Sequence, residues 1–282
     1  MKDRITNYIE DRLQCRIVDH EMVGGGCIAQ TTFLSTDDRR SFFLKQGFKG
    51  DMFLKEANGL NELRKSQSIR IPEVILVNDE FLLLEKINAG IKSTGFYTTF
   101  GAAFANMHRF TGKAFGFKED NYIGSTPQLN SWESSWLDFY FTKRLLFQYQ
   151  LAEKKGYADR TFQEAFKNLE QLLPNILQGS EESPCLLHGD LWGGNYMIDE
   201  NGSPVLIDPA VYYGHREVDL AMTKLFGGFT SEFYNNYQQT NPLKEGYEYR
   251  ENVYLLYHVM NHLNLFGTSY KPQAIQLMKS YK

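Results

Sequence analysis

The stretch from His188 to Asp208, HGDLWGGNYMIDENGSPVLID, constrains the fold more tightly than any other part of the chain. Its first half is a loop, because Gly189, Gly193 and Gly194 interrupt any helical period and leave Asp190 and Asn195 on irregular backbone. In its second half two short apolar runs, YMID and PVLID, flank Asn201-Gly202, a dipeptide suited to a tight hairpin turn. The segment therefore reads as a polar loop running into a hairpin that ends on Asp208.

Each polar residue type in it suits a part of phosphoryl transfer from ATP to a hydroxyl. Asp190, on a tight loop, orients a nucleophile and takes its proton. Asn195 offers a side-chain carbonyl and Asp208 a carboxylate, hard oxygen donors of the kind Mg2+ takes beside a nucleotide's phosphates. An Asp followed five residues later by Asn, then a metal-binding Asp beyond a short hairpin, is the spacing of the protein-kinase signature. Singly, each has a plainer reading: an Asp after Gly turns a loop, and an Asn before a strand caps one. In this order, and with the upstream residues, they read as an ATP and Mg2+ site.

Upstream, Ile5, Ile9 and Leu13 fall at helical spacing, and Arg16 to Val23 reads as a strand running into Gly24-Gly25-Gly26. AQTTFLST and SFFLKQ pair antiparallel about the polar turn Asp37 to Arg40. A helix follows from Asp51, its predicted N-cap, to near Ser66, with Pro72 barring anything longer. Lys45 at the end of SFFLK and Glu56 on this helix stand where a lysine binds ATP phosphates and a helix glutamate holds it. Gly24, Gly25 and Gly26 supply a turn whose backbone N–H groups cover those phosphates. A surface salt bridge and a simple glycine turn are the plainer alternatives.

Two strands, EVILV and FLLLEKI, lead to Asn88-Ala89-Gly90, where the first lobe, residues 1–87, ends. Helical patterns over Tyr97 to Phe110, Ser131 to Lys155, Ala158 to Leu173, Glu217 to Phe226 and Gly246 to Phe266 make residues 88–282 a mostly helical second lobe holding the one hairpin. The expected fold class is α+β, a two-lobed arrangement with a mixed, strand-rich N-lobe and a helical C-lobe.

Composition narrows the partners. Thirty Lys and Arg against 34 Asp and Glu give a net charge of -4, without the basic excess that grips nucleic acid. No apolar run reaches membrane-spanning length, and the N-terminus MKDRITNYIEDRL is amphipathic and charged, so a cytoplasmic protein without a membrane partner is expected. Cys15, Cys27 and Cys185 are too scattered for a disulfide framework or a zinc site. Cys27 lies within the glycine turn, where either a small exposed residue is all that the fold requires or oxidation of an exposed thiol would deform the ATP loop.

With these residues in place the chain resembles the kinase-like small-molecule phosphotransferases, which include aminoglycoside phosphotransferases and choline kinases, and most closely the fructosamine kinase family. The resemblance runs through the whole chain and is carried by GGGCI, the helix FxxEANGL, HGDLWGGN, IDPAVYYGHREVDLAM followed by FGGF, and NHLNLFG. Gly189 stands where protein kinases have an Arg that reads activation-loop phosphorylation, and Pro209 replaces Phe-Gly after the metal Asp. Neither fits a phosphorylation-switched protein kinase, and Pro209 restrains the metal loop.

The resemblance implies ATP- and Mg2+-dependent phosphorylation of the 3-hydroxyl of a ketosamine, the Amadori product of a sugar and an amine. A small glycated amine or a glycated protein fits that description. Aminoglycosides, choline and methylthioribose are the alternative acceptors, and a non-catalytic nucleotide-binding scaffold is the alternative from another class. Carried over by residue, the resemblance implies Asp190 as proton acceptor, Asn195 and Asp208 as metal ligands, and Lys45 with Glu56 as the phosphate-orienting pair. It further implies Glu85, Lys86 and Ile87 as the adenine-binding connection, and His262 and Asn264 near the acceptor. Met197 and Ile207 form an apolar floor under adenine or ordinary hairpin core. Trp192, two residues from Asp190, stacks on the protonated ketosamine or wedges under the loop. His188 is expected to brace the loop, and Glu217 and Asp219 to cap and charge the start of a helix.

Overall fold

The computed structural model describes residues 4–23, 30–48 and 50–281. In chain order its elements are α1 (Arg4–Leu13), β1 (Ile17–Val23), β2 (Gln30–Thr36), β3 (Ser41–Gln46), α2 (Met52–Arg64), β4 (Val74–Val77), β5 (Phe81–Glu85) and α3 (Phe96–Met107). There follow β6 (Asn121–Ile123), β7 (Thr126–Gln128), α4 (Trp136–Phe139), a π-helical turn (Tyr140–Leu145), α5 (Leu146–Lys154), α6 (Arg160–Leu177) and β8 (Cys185–Leu187). The chain continues through β9 (Tyr196–Ile198), β10 (Pro204–Leu206), β11 (Tyr212–Gly214), α7 (Glu217–Leu225), α8 (Ser231–Thr240), α9 (Tyr247–Phe266), a 3-10 turn (Thr268–Tyr270) and α10 (Lys271–Met278). Two compact units result: the described residues up to Phe96 with Tyr196–Pro209, and Tyr97–Asn195 with the described residues from Ala210 onward.

The first unit is built on a five-stranded antiparallel sheet in the order β1-β2-β3-β5-β4. Alternate residues Leu34, Phe42, Leu44, Phe81 and Leu83 join Ile9 of α1 and Ile17 in one buried cluster, with Ile5 and Leu13 packed on it. Side chains alternate across a strand, so Lys45, next to Leu44, points to the opposite face. There α2 packs on β4 and β5, with Phe53, Ala57, Leu60 and Leu63 buried at helical spacing. Asp51 stands at the N-cap position but makes no capping hydrogen bond with its side chain, which lies 3.5 Å from Lys55 instead.

The β9–β10 hairpin belongs to this unit rather than to the helical lobe, and the unit runs to Phe96 where the sequence placed the break after Ile87. Its attachments explain the difference. Leu206 donates its N–H to the carbonyl of Arg70 at 3.1 Å, Gly90 N–H bonds the carbonyl of Ile198 at 3.0 Å, and Ser93 donates backbone and hydroxyl hydrogens to that of Gly202. The connection after β5 is thus sewn to a hairpin more than a hundred residues later, a pairing that local periodicity does not encode.

The second unit centres on α9, which is buried around most of its circumference and packs on α5, α7 and α10. α4, the π-helical turn and α5 follow one another without a break over 136–154, where the sequence predicts one regular helix from Ser131; Ser135 caps it, accepting from Asp138 N–H at 3.2 Å. α6 runs on through Pro174 to Leu177, beyond the end expected at Leu173. Pro174 has no N–H to donate, so one intrahelical bond is lost, but it stands in the last turn, which the buried Leu173, Ile176 and Leu177 hold against the core. α8 has no counterpart among the predicted helices: its sequence SEFYNNYQQT is polar, with only Phe233 and Tyr237, four residues apart, buried.

α8 sits against α3 at Gly101, where an added Cβ would overlap the backbone carbonyl oxygen of Phe233. Gly101→Ala gains about 1 kcal/mol of helix propensity but forces the two helices apart, at a cost of roughly 1–3 kcal/mol. Urea unfolding is expected to show net destabilisation; a stabilised variant would contradict this packing. His258 on α9 is fully buried with no hydrogen-bond partner on either ring nitrogen among the described residues, and burial lowers its pKa from 6.5 to about 3. A depressed folded pKa means that its contribution to stability is intact above the unfolded value and is lost as pH falls toward the folded one. The loss is about 1.4 kcal/mol per pH unit, and His258→Phe should remove that component of the slope between pH 6.5 and 4; an unchanged slope would contradict it.

Candidate active site

In the first unit the chemistry gathers on Lys45. Its ammonium donates to Glu56 Oε1 at 2.6 Å and to Asp208 Oδ1, with the side chain only 9% exposed. Burial alone would lower the lysine pKa, but the two carboxylates outweigh it and raise the value, so Lys45 stays charged. Asp208 is 45% exposed on its side chain and holds φ at +54°, a conformation that few residues other than Gly, Asn and Asp adopt. Pro209 follows it and restricts the backbone further. Strain of this kind, on the order of 1–3 kcal/mol, persists because the hairpin fixes the chain on one side of it.

Arg70 supplies that fixing. Its guanidinium donates to Glu85 Oε1 at 2.5 Å, to Asp199 Oδ2 at 2.9 Å and to Glu200 Oε1 at 3.2 Å, tying β5 to the hairpin turn. Asp199 also accepts from Asn201 and Ser203 N–H, which shapes the turn at Asn201-Gly202 and holds its carboxyl below the usual range despite burial. Of the residues predicted to meet adenine, Glu85 spends its carboxylate on Arg70 and on Glu73 N–H, the Lys86 ammonium lies over the Phe33 ring, and Ile87 is buried. Their backbone, rather than their side chains, is what the connection has to offer a base. Met197 and Ile207, on and just beyond the hairpin strands, are half-buried. Gly24, Gly25, Gly26 and Cys27 lie outside the described residues.

In the second unit the loop from His188 to Asn195 is held from both ends. Asp219, completely buried on α7, accepts the N–H of His188 at 2.7 Å and of Gly189 at 2.8 Å. His108 Nε2 approaches the same carboxylate at 3.1 Å while Tyr237 meets His108 Nδ1 at 2.7 Å. Burial would raise the Asp219 pKa, but these donors, His108 foremost, hold it down. Gly189 has φ +82°, and an added Cβ would overlap the carbonyl oxygen of Ala210, whose own N–H bonds the His188 carbonyl at 2.8 Å. The glycine that sets the chain apart from protein kinases is thus demanded by backbone approach. His188 Nδ1 accepts from Asp190 N–H at 3.3 Å, bracing the loop as expected.

Asn195 closes the loop by donating Nδ2 to the Asp190 carbonyl at 2.8 Å and to Asp190 Oδ2 at 3.2 Å. Both partners are acceptors only, which fixes the amide's orientation and turns its carbonyl oxygen away from Asp190. Below, Gln128 and Asn121 donate to the carbonyls of Ala210 and Val211, and Asn130 and the fully buried Arg144 continue that network. Glu217, expected as a helix-start charge, is instead clamped by Arg250 through two bonds of 2.6 and 2.8 Å, and Asp219 anchors the loop; neither is a simple cap.

The residues predicted to meet the acceptor divide. Trp192 is partly exposed, lies along Gly194 and meets Phe226 edge-on at 5.8 Å between centroids. Phe226 in turn lies 5.0 Å from the His262 ring, so these three form one aromatic row. Asn264 does not join them. It is buried and donates to the backbone and side-chain oxygens of Gln148 at 2.9 and 2.8 Å, locking α9 to α5.

Mg2+ prefers one or two carboxylates with phosphate oxygens to a protein-only cage, and each of the two predicted ligands, one in each unit, is an oxygen donor of the kind it takes. Asp208 presents a partly exposed carboxylate and Asn195 an oriented amide oxygen, while no cluster of three His, Cys, Asp or Glu side chains occurs among the described residues. Asp219→Asn would place an NH2 group against a backbone N–H in a dry site. We expect turnover to fall at least about 100-fold, on the order of 3 kcal/mol for lost charged hydrogen bonds, in steady-state kinetics on folded protein; near wild-type turnover would contradict the anchoring role.

The family model described as fructosamine kinase matches residues 1–282. The protein-ribulosamine 3-kinase, chloroplastic, of Arabidopsis thaliana is 41% identical over 268 residues, covering 92% of this chain and 81% of that protein. The crystal structure of a candidate fructosamine-3-kinase from Thermobifida fusca superposes with a TM-score of 0.89 at 27% identity, covering 99% of this chain and 98% of that one. An ADP-bound aminoglycoside phosphotransferase shares the protein-kinase-like fold, with a TM-score of 0.64 at 14% identity over 99% of this chain and 97% of its own. With its loop, hairpin and lysine pair placed as described, the chain belongs to the fructosamine kinase family.

Proposed function

We propose that this phosphotransferase moves the γ-phosphoryl group of ATP, with Mg2+, to the 3-hydroxyl of a ketosamine, a reaction that destabilises the Amadori adduct and frees its amine. The observation that carries the reading is the Asp190 carboxylate, oriented by Asn195 on a loop whose backbone is fixed by buried Asp219. Asp190 orients the acceptor hydroxyl and takes its proton as the phosphoryl group arrives. Lys45, held charged, binds phosphate oxygens. Asn195 and Asp208 offer oxygens to Mg2+, which when bound neutralises charge on the transferring phosphate. Glycines 24–26 cover the phosphates, the backbone of Glu85 to Ile87 reads adenine, and Met197 and Ile207 lie beneath it.

Trp192 and His262 serve the ketosamine, while Asn264 is left out of this set because it is buried and its Nδ2 is spent on Gln148, although its Oδ1 has no partner among the described residues. Likeness to the Arabidopsis protein-ribulosamine 3-kinase supports protein-bound ketosamines as substrates. The compartment we propose is the cytoplasm, in keeping with Cys15 and Cys185 as free thiols; no helix among the described residues is long and apolar enough to cross a membrane.

A panel of fructosamine, ribulosamine and erythrulosamine against an aminoglycoside, choline and methylthioribose, followed by ATP consumption, tests the acceptor class. Ketosamines are expected to be turned over with kcat/KM at least about 100-fold above the others; preference for any of the others would reject the assignment. Asp190→Asn should abolish turnover while Mg-ATP still binds, and retained turnover would remove Asp190 from its role.

A further inference from the structure

The aromatic row that starts at Trp192 does not end at His262. The His262 ring lies 5.4 Å from Phe266 and 5.3 Å from Tyr270, and those two rings are 6.4 Å apart. Tyr270 returns to this position because the chain reverses after α9 through Gly267 into the 3-10 turn. Trp192, Phe226 and Phe266 are 38%, 45% and 61% exposed, so the row is open to solvent at both ends and between them. His262 spends Nδ1 on the His258 carbonyl at 2.8 Å, and burial lowers its pKa, which leaves the middle of the row neutral. An apolar strip of this kind on a water-facing surface marks a place where another molecule is held.

We propose that this strip binds the amine-derived half of the ketosamine and selects substrates whose amine carries an aromatic or bulky aliphatic group. The inference rests on the ketosamine reading above. It is argued from continuity: the strip begins two residues from Asp190, where the reacting hydroxyl must lie, and the amine of a ketosamine is only a few bonds from that hydroxyl. The sugar occupies the Trp192 end, and the substituent on nitrogen extends past Phe226 and His262 toward Phe266 and Tyr270. Rings stacked or edge-on along such a surface exclude water from an apolar substituent and do nothing for a small polar one.

The test holds the sugar constant and varies the amine, comparing KM for the fructosyl adducts of phenethylamine and ethanolamine in wild type, Phe266→Ser and Phe266→Leu. Wild type is expected to favour the phenethylamine adduct by roughly tenfold in KM. Phe266→Ser should cut that preference to about threefold or less, and Phe266→Leu should keep most of it. Equal KM for both adducts in wild type, or equal shifts of both in Phe266→Ser, would overturn the inference while leaving the ketosamine reading intact. Turnover of neither adduct would remove that reading and this one with it. A wild-type dimer in sedimentation that Phe266→Ser converts to monomer would show the strip covered by a second copy and overturn the proposal.

Discussion

Asp219 takes the amide hydrogens of His188 and Gly189 on a carboxylate that no solvent reaches, and the geometry of the loop from His188 to Asn195 depends on it. A buried charge is tolerated only when its lone pairs are filled, and here two backbone donors and His108 fill them. The consequence runs outward in both directions. Tyr237 on α8 and His108 at the end of α3 become part of the loop's foundation, which gives two peripheral helices a reason to pack as tightly as they do at Gly101. Toward the surface, Gly189 lets Ala210 approach the loop closely, leaving Asp190 and Asn195 to face each other on irregular backbone tied down by hydrogen bonds.

The first unit solves a parallel problem with cations. Lys45 and Arg70 are each surrounded by carboxylates from elements distant in sequence: Glu56 and Asp208 for the lysine, Glu85, Asp199 and Glu200 for the arginine. Lys45 fixes where Asp208 points, and Arg70 fixes the hairpin that delivers it. Removing either cation leaves several negative charges close together, so these pairs specify arrangement more than they add stability.

Much of this is legible in the sequence. The strands and helices that carry long apolar periods emerge within a few residues, as do the pairing of Lys45 with Glu56 and the bracing of the loop by His188. The misses share a physical cause. Arg70, Asn121, Gln128, Arg144 and Asp219 act through partners that stand far away in sequence, and a lone charge or amide carries no sign of what it will meet. Asp219 reads as a helix-start charge because its local context supports that reading as well; only burial distinguishes the two. Asn264 shows the same limit, since its Nδ2 bonds Gln148 on another helix, a contact that its local sequence does not announce. α8 escapes because two buried aromatics in a polar decapeptide give too little periodicity to register.

The central claim is that Asp190 directs the phosphoryl group to one hydroxyl of a ketosamine, and the position of the new phosphoester tests it most directly. Incubating the protein with a fructosamine and Mg-ATP and following phosphorus–proton coupling by NMR should reveal a single phosphomonoester on the 3-hydroxyl, followed by release of the free amine. Phosphate on another hydroxyl, or ATP hydrolysis without any phosphoester, would contradict the account.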